Sequence, residues 1–107
     1  MANTFKSFIL DGITGETGFT AVPADATQVI IGLQIANVGA TTATVTVTLK
    51  DESASGDPKI HIVKSVPIPV GATLSLLDGK IVAEATDQIH VTSDVTVDGI
   101  LSVLEQT

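Results

Sequence analysis

Few residues of this sequence have the type and spacing to do chemistry. His61 lies in Lys59-Ile60-His61-Ile62-Val63, and His90 in Gln88-Ile89-His90-Val91. An acid–base or metal-binding role needs partners that converge on the ring. The sequence holds two histidines and no cysteine, and its carboxylates fall mainly in turn-like segments. Both rings are therefore expected on the wet face of a strand. Asp51, Glu52 and Asp57 crowd one polar stretch, but their spacing lacks the alternating ligands and late glutamate of a calcium loop. Gly12, Gly15 and Gly18 do not follow a strand and open a helix, as a dinucleotide loop requires. No serine sits in a Gly-x-Ser-x-Gly elbow. The reading is a chain with no catalytic residue, no cofactor site and no metal site, and so not an enzyme.

The elements that frame these residues alternate with period two. Thr44, Thr46 and Thr48 interleave with Val45, Val47 and Leu49, which is a strand pattern with one face in a core and one in water. Gln28 to Asn37 reads as a buried strand, with Val29, Ile31, Leu33 and Ile35 on one face and Ile30, Gly32, Gln34 and Ala36 on the other. Lys59 to Val66 reads as a strand leading into Pro67-Ile68-Pro69. Proline lacks a backbone donor, so this piece belongs at a sheet edge or a crossing between sheets. Thr73 to Leu77 and Lys80 to Ala83 are expected to pair as a hairpin. Its turn would be Asp78-Gly79, type I′, with Gly79 at positive φ. Ile89 to Thr92 and Val95 to Glu105 are the last strands. The second is apolar on both faces through Ile100, Leu101, Val103 and Leu104, so it is either central in its sheet or covered by a partner. No helix longer than a turn is expected. The fold class is all-β, a single antiparallel β-sandwich of jelly-roll or immunoglobulin-like type with seven to nine strands.

Composition bounds the function. A chain of 107 residues fits one domain. Its core must be aliphatic, because Phe5, Phe8 and Phe19 are the only aromatic residues. The absence of Trp and Tyr removes the usual stacking platforms for sugars. A formal net charge of −7 with no basic cluster argues against nucleic acid and against an anionic membrane surface. No apolar run approaches the roughly 20 residues of a membrane helix. The start, Met1-Ala2-Asn3-Thr4, lacks the layout of a signal peptide, so synthesis and assembly in a cytosol are expected. The apolar fraction, 44% in so small a chain, favours self-association.

Residues 1–18 differ from the rest. Phe5, Phe8, Ile9 and Leu10 form a small apolar cluster ahead of a glycine-rich stretch, which reads either as a first strand or as an arm docking on a neighbour. Residues 19–107 form the β-sandwich domain. The expected partner interface combines the two apolar features, Phe5, Phe8 and Ile9 with Ile100 and Leu104.

Three stretches taken together carry a resemblance. They are Lys64-Ser65-Val66-Pro67-Ile68-Pro69-Val70-Gly71-Ala72-Thr73-Leu74-Ser75, the run Gly79 to Val91, and Val97-Asp98-Gly99-Ile100-Leu101-Ser102-Val103-Leu104-Glu105. With the strand Ile30 to Asn37, their order and spacing resemble small β-rich structural proteins of tailed-bacteriophage virions. The likeness spans Gln28 to Thr107. Thr86 stands where such proteins often have a turn glycine. The resemblance implies a non-enzymatic virion part assembled in the host cytoplasm. Its first form is a capsid decoration (cement) protein that binds the major capsid protein of the assembled head, as a homo-oligomer and in such proteins commonly a trimer. A neck or tail adaptor is the second form. A host-recognition or ligand-binding module is the alternative of another class.

Overall fold

A computed structural model describes residues 3–19, 22–50, 58–76 and 81–107. The described residues form seven strands: β1 (Asn3–Gly18), β2 (Thr27–Asn37), β3 (Ala43–Lys50), β4 (Lys59–Ile68), β5 (Thr73–Leu76), β6 (Ile81–Ala83) and β7 (Gln88–Gln106). All described pairings are antiparallel, and no helix occurs among the described residues. The sheet curls into a half-barrel, a sandwich-like all-β fold as the alternating pattern predicts.

β7 organises the sheet. The two last strands expected from the sequence are one continuous strand of 19 residues. One edge pairs with β1, from Asn3↔Gln106 to Gly18↔His90. The other edge changes partner. Gln88 to Ser93 pair with β3, and Val97 to Gln106 pair with β2. The apolar residues on both faces of β7 thus mark a central strand. β4 extends the first half beyond β3, and β5 and β6 extend the second half beyond β2. Curling brings the inner faces of the halves together. Val45, Val47, Ile68, Ile89 and Val91 from one half share a core with Ile30, Leu33, Ile35, Leu101 and Val103 from the other. Phe19 is buried in that core, with its ring edge over Gly99.

Polar side chains close the gap where β7 changes partner. Thr44 N–H donates to Asp94 Oδ1 at 2.7 Å, and Val38 N–H to the Thr96 carbonyl at 3.2 Å. Ser93 Oγ donates to the Val95 carbonyl at 2.6 Å. Gly39 is required beside this gap, because a Cβ there would collide with Val95. Asn37, buried at the end of β2, ties the halves together. Its Nδ2 donates to the carbonyls of Thr41 and Ile68, each at 2.8 Å, and its Oδ1 accepts from Gly39 N–H at 2.9 Å. A buried amide with its capacity used in this way is costly to remove, since its partners would be left without bonds.

Several expectations are corrected. β2 carries a bulge between Ile30 and Gly32, which reverses the face of the residues before it. Ile30 is therefore buried and Ile31 exposed, the opposite of a strict alternation. Thr48 is buried rather than wet, in a cross-strand row between His61 and His90. β1 is one 16-residue strand that runs on through the glycine-rich stretch; register shifts at Leu10/Ile13 and Ile13/Gly15 absorb its glycines. β5 and β6 do not pair with each other. Both lie along β2, β5 on Leu33 to Ala36 and β6 on Gln28 to Ile30. Arranged so, they satisfy backbone groups of β2 that a hairpin would leave open. The Asp78-Gly79 turn lies outside the described residues. Pro67 does lie on an edge strand, since among the described residues β4 pairs only with β3.

Thr86, in the turn before β7, has φ 68°. A β-branched residue in the left-handed region is strained. Thr86→Gly is expected to stabilise the protein by about 1 kcal/mol. Asn37→Ala is expected to destabilise it by about 2–3 kcal/mol. Urea unfolding midpoints at unchanged slope check both.

Candidate interaction surface

The outer face of the sheet has two characters. Over the half built from β3 and the start of β7 it is polar. Thr46, Thr48, Lys50, Gln88, His90 and Thr92 alternate with the core residues there. Glu16, on β1, bridges Lys59 and lies 3.6 Å from His90 Nδ1. Lys59 first of all holds the Glu16 carboxyl below the ordinary glutamate pKa. Gly18 leaves room for the His90 ring, which a Cβ at that position would touch. His90 Nε2 also lies 2.9 Å from Gln88 Oε1. The two histidines sit on different strands, with Thr48 between them. No group of three or more His, Asp or Glu among the described residues is arranged to hold a metal ion.

Over the other half the outer face is apolar. Cross-strand register builds it row by row, because residues directly opposite each other share a face. One row runs Phe5–Leu104–Val29–Val82 across β1, β7, β2 and β6. Two residues along, Ser7, Ser102 and Gly32 form a row beside the bulged Ile31. The next runs Ile9–Ile100–Gln34–Ser75. Phe5 is 77% exposed, Ile9 70%, Val82 54%, Ile100 48% and Ile31 42%. These five account for most of the large apolar side chains that are exposed among the described residues, and they share one face of one half. Single exposed apolar residues are ordinary, whereas a contiguous group is a candidate interaction surface. Acidic groups border it. Asp11 and Asp98 line a shallow depression with Ile9 and Ile100, and Asp98 Oδ1 accepts from Gly12 N–H at 2.7 Å.

The structure brings together four of the five residues expected at an interface, Phe5, Ile9, Ile100 and Leu104. Phe8 faces the other way, opposite Leu101, and packs against the core. Val29, Ile31 and Val82 are additions that sequence reasoning missed. Gly32 inside an apolar strand was the available signal for the bulge that turns Ile31 outward.

The inner face of this half ends in a polar cluster. The Glu105 carboxylate, buried, accepts from Lys6 Nζ at 2.8 Å and from Gln28 Nε2 at 2.9 Å. These bonds, that of Lys6 first, hold the Glu105 pKa below the ordinary 4.5.

No protein-family model matches this chain, and no curated protein sequence matches it. Two solved structures share its fold. One is a chain of the acidic stable capsid of the Helicobacter pylori bacteriophage KHP30, with TM-score 0.52 and 14% identity, covering 98% of this chain and 87% of that one. The other is a chain of Bacillus endospore appendages, described as a family of disulfide-linked pili. It has TM-score 0.53 and 11% identity, covering 99% of this chain and 87% of that one. At these identities the likeness is one of fold.

A carboxylate with a lowered folded-state pKa contributes stability above its unfolded pKa and loses it as pH falls through the folded value. Glu105→Gln is therefore expected to be less stable than the parent at neutral pH. The difference between the two should shrink on acidification below about pH 4.5, since protonation removes the advantage of the parent. Thermal melts of both proteins from neutral to acidic pH read this directly.

Proposed function

We propose that this protein is a non-enzymatic structural component of a tailed-phage virion, a decoration protein that binds the assembled head and stabilises it. The observation that carries this reading is the apolar outer face on one half of the sheet, opposite a core that is already complete. Phe5, Ile9, Ile100 and Val82 contribute nothing to that core and would be better covered by a partner. The partner proposed is the major capsid protein, with copies of this chain as neighbours on the lattice, and the location is the virion, assembled in the host cytoplasm.

Two further points support the reading. The fold is shared, over nearly the whole chain, with a chain found in a phage capsid. The order of the sequence stretches independently resembles phage virion proteins. The second likeness is to pili that are disulfide-linked, a form of linkage that a sequence without cysteine does not have. Many copies on a closed lattice need only modest affinity each, because neighbouring contacts raise the effective concentration. Binding to the assembled shell and not to its free subunits then stabilises the particle by mass action.

The test uses purified heads that lack the protein. Added protein should bind them and raise the temperature at which they release their genome. Val82→Lys with Ile100→Lys, both at exposed positions away from the free edge of β1, should retain the fold and reduce head binding at least about tenfold. Failure of the parent protein to bind heads overturns the decoration reading. Binding to isolated necks or tails instead would assign it as an adaptor.

A further inference from the structure

The edge strands of an open sheet expose unpaired backbone N–H and C=O groups, and proteins blunt such edges with proline, charge, bulges or brevity. β4 has Pro67, Lys59 and Lys64, and Ser65 at φ 54° sits in a register shift. β5 and β6 are four and three residues long. The second half of β1 is interrupted around Gly12 and Gly15, both at positive φ. The run from Asn3 to Leu10 has no proline, bulge or positive φ, and its one charge, Lys6, is paired with Glu105. It pairs with β7 in unbroken register, and no described strand pairs with its other edge. It also presents the two most exposed large apolar side chains among the described residues, Phe5 and Ile9.

We propose that this free edge pairs antiparallel with the same segment of a second copy of the chain, about a two-fold axis at Ser7. The segment is self-complementary in that register. Phe5 of each copy lies opposite Ile9 of the other, and an aromatic residue facing a β-branched one is a favourable cross-strand pair. Lys6 lies opposite Phe8, so no like charges face each other directly. Charge selects the same place. A chain of net charge −7 resists contact with itself, but the only charge between Asn3 and Leu10 is Lys6, which its own Glu105 neutralises at 2.8 Å. The outer apolar face also becomes continuous. The row Val82–Val29–Leu104–Phe5 of one copy runs into Ile9–Ile100 of the next. Pairing of this kind is isologous and closes at two copies. It does not depend on head binding, since the pairing involves only copies of this chain and is read on the purified protein.

Sedimentation over a concentration series into the high micromolar range should show a monomer–dimer equilibrium. Ile9→Lys should raise the dissociation constant at least about tenfold. Combining Phe5→Lys with Ile9→Glu sets opposite charges across the axis and should restore the dimer. Because the sequence contains no cysteine, Ser7→Cys gives a second readout. Mild oxidation should yield a covalent dimer from Ser7→Cys and little from Thr14→Cys, an exposed position on the same strand. All of these positions are exposed, so unchanged far-UV spectra and melting temperatures will verify the fold. A monomer at every concentration overturns the proposal. So does a trimer, or a dimer that tolerates Ile9→Lys and gives Ser7→Cys no advantage over Thr14→Cys.

Discussion

A strand of 19 residues must find hydrogen-bond partners on both edges along its length, and this requirement shapes the molecule. β7 meets it with one partner on one side and two in succession on the other. Where β3 gives way to β2, the backbone would be left with open groups. Asp94 and Ser93 fill the gap with side-chain oxygens. The exchange of partners also divides the sheet into its halves, since β2 and β3 take successive stretches of one edge of β7. Asn37 then bonds the end of β2 to the end of β4 across the opening. One long strand, two polar side chains at its break and one buried amide thus hold a core built almost wholly of aliphatic residues.

Much of this was legible in the sequence. Period-two alternation specified strands throughout, Pro67 pointed to an edge or a crossing between sheets, and apolar residues on both faces of Ile100 to Leu104 to a strand either central or covered by a partner. What escaped was registry. Alternation fixes which residues share a face only while the count is unbroken, and one extra residue in β2 moved Ile31 from the expected core to the surface. Likewise, nothing local to Thr73–Leu76 or Ile81–Ala83 distinguishes pairing with each other from pairing in tandem along β2. That choice is set by the unsatisfied edge of a strand some forty residues earlier.

The apolar outer face was legible in part for the same reason. Phe5 and Ile9 are four residues apart in a strand and so share a face, and Ile100 and Leu104 have the same spacing. That these two pairs would form adjacent rows depends on β1 and β7 aligning Phe5 with Leu104 and Ile9 with Ile100. Phe8 was grouped with them by proximity in sequence, yet a strand turns neighbouring side chains to opposite sides. The division of the outer surface into a polar half and an apolar half is a property of the assembled register, and no single segment of the sequence displays it.

The pairing of Asn3 with Gln106 has a further consequence for biogenesis. During synthesis β3 and β4 can close on each other as neighbours, and β2 can recruit β5 and β6. Neither group can join the other before β7 leaves the ribosome. β1, made first, waits longest for its partner. Contacts so distant along the chain slow folding, and through that interval Phe5, Phe8 and Ile9 are held on a strand with nothing to pair with. The nascent sheet is thus most prone to aggregation at β1. Slow elongation prolongs that exposure, and a chaperone that binds short apolar stretches would find its first site there.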